Sequence, residues 1–122
     1  MRPLLFLCAA LAVAATVTSA CSEPSAKEPI PRGRQVYGEL GCGRCHLIDG
    51  QGGHIGPDLS HIGPVAATRE PGVSARAYIR QSIVDPGAYV VPGYNDVMPR
   101  GLAMHLSKTD LDDLVEFLDS HK

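Results

Sequence analysis

Cys42-Gly43-Arg44-Cys45-His46 places two thiols three positions apart, with an imidazole directly after the second. That spacing suits three chemistries. A C-x-x-C-H run is the attachment pattern of c-type haem: each thiol can form a thioether with one vinyl group, and the adjacent histidine reaches the iron from one side. Iron held this way keeps a sixth position, and whatever fills it decides between carrying electrons and binding a small ligand. A structural zinc site is the second reading. It wants four ligands, and after Cys8 the only other thiol is Cys21, far away in sequence. A thiol redox pair is the third. It belongs at the start of a helix after a strand, in an α/β pattern, and nothing upstream of Cys42 reads that way.

Residues further along favour haem. Gly56-Pro57-Asp58-Leu59 follows Cys45 after a glycine-rich stretch. A ligating histidine usually donates its other ring N–H to a carbonyl or carboxylate, which fixes the tautomer, and the Pro57 carbonyl is the candidate acceptor for His46. Met98, ahead of Pro99 in a turn-rich segment, is the candidate sixth ligand. Its soft, neutral thioether favours ferrous iron and raises the reduction potential. Met104 lies close enough in sequence to compete for that role. His54 and His61 share the glycine-rich loop and read as solvated surface residues rather than ligands.

Short helices must position these groups. From Gly33 the residues Val36, Tyr37 and Leu40 share one face of a helix that ends near Gly41. From Asp49 to Gly63 the glycines and prolines predict loop, neither helix nor strand. Ser74 caps a second helix with Ala75, Tyr78, Ile79 and Ile83 on its apolar face, stopped by Asp85-Pro86. The chain is then extended and turn-rich to Pro99. A last helix starts at the Ser107 cap, with Leu106 and Leu111 as a hydrophobic staple and Asp110 suited to the helix start. Its stripe of Leu111, Leu114, Val115 and Leu118 demands burial. Its acidic face, Asp110, Asp112, Asp113, Glu116 and Asp119, is expected to be solvated surface.

The first residues read as a segment for export. Arg2 precedes an apolar run from Leu4 to Val17 that is too short to span a membrane, and small residues lead to Cys21. Thr18-Ser19-Ala20-Cys21 resembles a bacterial lipobox, with Thr18 where an aliphatic residue is usual, so lipidation of Cys21 and plain cleavage after Ala20 both stand as expectations. Lipid would occupy a thiol otherwise free in an oxidising space. Ser22 to Pro31 is polar and proline-rich, a tether that at roughly 3.1 Å per residue reaches about 30 Å. Residues 1–20 are thus expected as signal, 21–32 as tether and 33–122 as the folded domain. Without Arg2 the 11 basic residues become 10 against 13 acidic ones, a formal charge of −3. That balance argues against nucleic acid and for a partner with a basic docking patch.

Gly33 with Tyr37, Cys42 to His46, Gly56 to Leu59, Met98-Pro99 and the leucine-rich last helix with Phe117 together resemble a class I monohaem cytochrome c. Tyr78 to Pro86, followed by Pro92-Gly93-Tyr94 and Met98-Pro99, is most similar to the cytochrome c domains fused to subunit II of some terminal oxidases. The resemblance implies an all-α class I cytochrome c fold, short helices wrapped around one covalent haem c, with Cys42 and Cys45 as thioether anchors and His46 and Met98 as axial ligands. It also implies that the first and last helices cross, bringing Gly33 and Tyr37 against Leu114 and Phe117. Five aromatics and no tryptophan between Cys21 and Lys122 would leave a thin core, and haem supplies apolar mass. The copper domain and membrane hairpin of an oxidase subunit are not in this sequence. The expected protein is therefore a free-standing, monomeric, exported electron carrier of the periplasm or another extracytoplasmic space, anchored by lipid, that exchanges electrons with redox proteins. It is not an enzyme. A cytochrome subunit of a larger oxidoreductase and a haem-based ligand sensor are the alternatives.

Overall fold

The computed structural model describes residues 28–122, so the signal segment, Cys21 and the tether up to Lys27 lie outside the described residues. The first helix, α1, spans Pro29–Glu39 and starts four residues before the expected Gly33, inside the stretch read as tether. Prolines suggested an extended chain there, but Pro29 and Pro31 occupy the first turn. Helical N–H groups there have no intrahelical partner to lose. The expected end is correct: Leu40 caps α1 and Gly41 follows in the left-handed region at φ 70°.

Between Asp49 and Gly63 the structure differs from the expected plain loop. Strands β1 (Leu47–Ile48) and β2 (Gln51–Gly52) form a two-residue antiparallel ladder, with Leu47 opposite Gly52 and Ile48 opposite Gln51. Asp49 at φ 49° and Gly50 at φ 79° make the turn, the Asp-Gly pairing that tight hairpins favour. A five-residue helix, α2, spans Ile62–Ala66, with Pro64 tolerated in its first turn. It is too short to show a helical period in sequence.

Helix α3 spans Ala75–Val84 and α4 spans Lys108–Asp119. Both serine caps form as expected: the Ser74 hydroxyl accepts from the Ala77 N–H at 3.3 Å, and the Ser107 hydroxyl from the Asp110 N–H at 3.0 Å. From α4, Leu114, Val115, Phe117 and Leu118 are buried, joined by Val36 of α1, Leu59, Ile62 and Ala66 around α2, and Tyr78, Ile79 and Ile83 of α3. Each such side chain contributes about 1.5–3 kcal/mol through burial, so the helices are held by this shared core rather than by propensity. The fold is the all-α one expected of a class I cytochrome c.

The acidic face of α4 is not simply solvated. Asp110 accepts from Arg32 of α1 at 2.8 and 2.6 Å, Asp112 pairs with Arg80 of α3, and Glu116 and Asp119 pair with Arg76 of α3. The Arg32 and Ser107 hydrogen bonds hold the Asp110 carboxyl below its ordinary range. These arginines sit on other helices, so a pattern confined to α4 cannot reveal them.

Among the described residues helices α1 and α4 make the most extensive contact, and Gly33 lies in it with no room for a side chain. A Cβ on Gly33 would collide with the Asp113 carbonyl and lie 2.5 Å from Phe117 Cβ. The Tyr37 and Phe117 rings then meet edge to face, centroids 5.7 Å apart. Gly38, in the same helix, has nothing within 4 Å of such a Cβ. Gly33→Ala is therefore expected to lower stability by about 1–3 kcal/mol through overpacking, while Gly38→Ala raises it by about 0.5–1 kcal/mol. Thermal unfolding of the two variants measures both. Equal shifts for both would remove Gly33 as the contact that sets the helix crossing.

Candidate functional site

The left-handed Gly41 turns the chain out of α1 and straight into a 3-10 turn, Cys42–Arg44. The N–H groups of Cys45 and His46 both bond the Cys42 carbonyl, at 3.1 and 3.0 Å. This tight turn puts Cys42, Cys45 and His46 in the wall of one cavity. Both cysteines are free and half-buried. Burial, with a smaller contribution from Cys45, pushes the Cys42 thiol up to about 11. A catalytic redox cysteine has its thiol shifted the opposite way. The Tyr37 hydroxyl is buried without a hydrogen-bond partner among the described residues, and burial, then Cys42, raises it to about 12.

His46 is oriented from two sides. Its Nδ1 stands 2.8 Å from the Pro57 carbonyl oxygen. A carbonyl only accepts, so Nδ1 carries the proton and Nε2 keeps its lone pair for another partner. Gly56 lies flat against the ring: a Cβ there would be 2.5 Å from Cε1 and 2.8 Å from Nδ1. Backbone bonds latch this loop to the cysteine turn, from Gly53 N to Gly43 O at 2.9 Å, Gly56 N to Cys45 O at 2.8 Å, and Leu59 N to Leu47 O at 2.8 Å. The glycines allow the loop to approach that closely.

The cavity measures about 400 Å³ and is mainly apolar, with Leu59, Ile62, Tyr78, Ile79, Ile83 and Leu102 among its lining residues. That size is in the range of cofactor sites, roughly 300–1,000 Å³. Met98 is in its wall and half-buried. Met104 is 79 % exposed and outside the lining, as are His54 and the exposed His61, whose Nδ1 stands 2.7 Å from the Lys122 carbonyl. The cavity thus brings together Cys42, Cys45, His46, Pro57 and Met98, and leaves the competing groups out. Among the described residues no cluster of three or more His, Cys, Asp or Glu could hold a metal ion, so the donors of a zinc site are not assembled there. Sequence reasoning missed Arg69. It lines the cavity, and its Nε is buried with no hydrogen-bond partner among the described residues. No local pattern marks it, because only the packing of α2 and α3 brings it to the cavity.

A helical shell around an apolar cavity, with two thiols, a carbonyl-oriented imidazole and a thioether in its wall, has the makings of a c-type cytochrome. Residues 30–122 match the family model described as Cytochrome c, and the chain belongs to that family. It is a c-type cytochrome involved in electron transfer, with one covalent haem c, and its partners are redox proteins. The residues present fit that group. The cavity wall suits a large apolar ring, and the partnerless Arg69 Nε offers a buried donor to a haem propionate. Bound there, haem supplies a one-electron iron couple.

Because Gly56 carries no side chain, His46 keeps its bond to Pro57. In the haem-loaded protein, Gly56→Ala is expected to cost about 1–3 kcal/mol of stability and, with His46 on the iron as proposed below, to shift the reduction potential, since a displaced ring loses the bond that makes it a better donor. Thermal melts and potentiometric titration read the two effects. A potential equal to the parent's would mean the ring does not depend on the bare face of Gly56.

Proposed function

We propose that the protein is an exported carrier of single electrons in which Cys42 and Cys45 form the thioethers and His46 and Met98 are the axial ligands. One observation carries the reading: Met98 lines the same cavity as His46, whose Nδ1 is committed to the Pro57 carbonyl, while Met104 is turned out to solvent. Imidazole and thioether together fill both axial positions and favour the ferrous state. No iron position is then left for a substrate, which supports a carrier rather than an enzyme. Ile55, Val90, Tyr94 and Val97 are exposed and line the cavity, so an apolar rim is available for brief docking of donor and acceptor. The likeness of Tyr78 to Pro99 to the domains fused to oxidase subunit II supports respiratory complexes as those partners.

The absorption spectrum of protein matured in a host that attaches c-type haem tests the ligands. Sharp low-spin bands are expected on reduction. The weak far-red band of methionine sulfur on ferric iron should be present in the parent and in Met104→Ala, and lost in Met98→Ala. High-spin iron in the parent, with ready carbon monoxide binding when reduced, would overturn the reading in favour of a ligand sensor.

The cellular place belongs to the same proposal and rests on Arg2, the apolar run and Cys21 in the sequence. No helix among the described residues is long and apolar enough to cross a membrane. Lipid on Cys21 would hold the domain at an extracytoplasmic membrane surface. Intact mass measurement of protein from a membrane fraction should show a first residue Cys21 carrying acyl chains; an unmodified Cys21 in soluble protein would remove the anchor.

A further inference from the structure

Between Val84 and Leu102 the described chain forms no helix or strand, so the segment that presents Met98 has no regular ladder to hold it. Its backbone closes only short turns, such as Tyr94 N to Val91 O at 3.1 Å and Val97 N to Asn95 O at 2.9 Å. All the side-chain hydrogen bonds recorded within residues 86–101 come from Arg100. Its Nη1 donates to Asp96 Oδ1 at 2.8 Å and to the Met98 carbonyl at 3.1 Å, and its Nη2 donates to Asp96 Oδ2 at 2.7 Å. The same guanidinium lies over Gly87 at the far end of the segment, where a Cβ would stand 2.5 Å from Nη2 and 3.3 Å from Cζ. One planar fork therefore bonds Asp96 and the Met98 carbonyl and packs against the start of the segment at Gly87.

We propose that Arg100 is a positioning residue, a clamp that keeps the Met98 thioether in the cavity by fixing Asp96, the Met98 carbonyl and the turn at Gly87 in one arrangement. The inference rests on Met98 as the sixth ligand. It adds what decides how often that ligand lets go. An outside ligand reaches the iron only when the Met98 segment is open, so its apparent affinity is scaled by the open fraction. Removing the clamp raises that fraction. A bidentate carboxylate pairing with a third bond to a carbonyl uses the fixed geometry of guanidinium, which an ammonium cannot reproduce.

The test is imidazole titration of the ferric, haem-loaded protein, followed by loss of the far-red band. Arg100→Gln is expected to bind imidazole about three- to tenfold more tightly than the parent. Arg100→Lys should recover only part of the difference. Gly87→Ala changes no charge and is expected to act in the same direction, because its methyl displaces the fork. Arg76→Gln, which removes two α3–α4 ion pairs, controls for general loosening: its melting point should change and its imidazole affinity should not. If Arg100→Gln and Gly87→Ala bind imidazole as the parent does, while Met98→Ala abolishes the band, the ligand assignment stands and the clamp is overturned. If the band survives in Met98→Ala, the ligand assignment fails and takes the clamp with it.

Discussion

The close approach of α1 and α4 at Gly33 is the constraint from which the rest of the molecule follows. Without a side chain at that position, the α1 backbone comes up against the Asp113 backbone carbonyl and Phe117 Cβ, and the Tyr37 and Phe117 rings meet edge to face just beyond the contact. The direction of α1 is then set, and with it the point where Gly41 delivers the chain into the Cys42–Arg44 turn. Arg34 adds to the same junction, its guanidinium carbon 5.1 Å from the Phe117 ring centroid. A cysteine pair on a loosely held helix could not present both thiols to a rigid ring. Here the pair follows a helix whose course is fixed by its packing on α4.

Two kinds of polar contact divide the remaining work. The ion pairs of Arg32, Arg76 and Arg80 with the acidic face of α4 are partly exposed, and such pairs individually contribute only about 0–1 kcal/mol. Their value is in register, because each joins α4 to a specific position on α1 or α3. The bond from His46 Nδ1 to the Pro57 carbonyl is of the other kind. It contributes about as little to stability, roughly 0.5–1.5 kcal/mol, yet it decides which ring nitrogen is free. Function here depends on small energies placed at chosen atoms.

The core explains why a chain this short holds a cavity at all. Residues such as Leu59, Ile62, Tyr78, Ile79 and Ile83 are buried against neighbouring helices and also line the cavity. Closing the cavity with side chains would take large residues that the composition does not offer, since the whole sequence has no tryptophan and two phenylalanines. A ring cofactor adds the apolar mass that this core lacks, and a group held only by the folded chain stabilises it. The segment around Met98 is held differently, by short turns and the Arg100 hydrogen bonds, with buried Pro86, and half-buried Tyr89 edge to face on Tyr78, anchoring its start to the core.

The serine caps, the apolar stripes of α3 and α4, the attachment motif and the Gly56–Leu59 loop were legible because each is a local pattern whose physics is complete within a few residues. The misreadings have the same origin. Prolines at 29 and 31 look extended in isolation, and become compatible with helix only when they occupy its first turn. Asp49-Gly50 carried a hairpin signal that the density of surrounding glycines obscured. Sequence alone therefore determined the cofactor chemistry, the family resemblance and the order of the main helices, since thiol spacing and helical period are properties of the chain. Only the tertiary structure decided that Met98 and not Met104 lines the cavity, that Arg69 brings a partnerless donor to it, and that Arg100 spans its own loop to Gly87. Those outcomes depend on which distant segments share a wall, and chain order does not encode that adjacency in any local pattern.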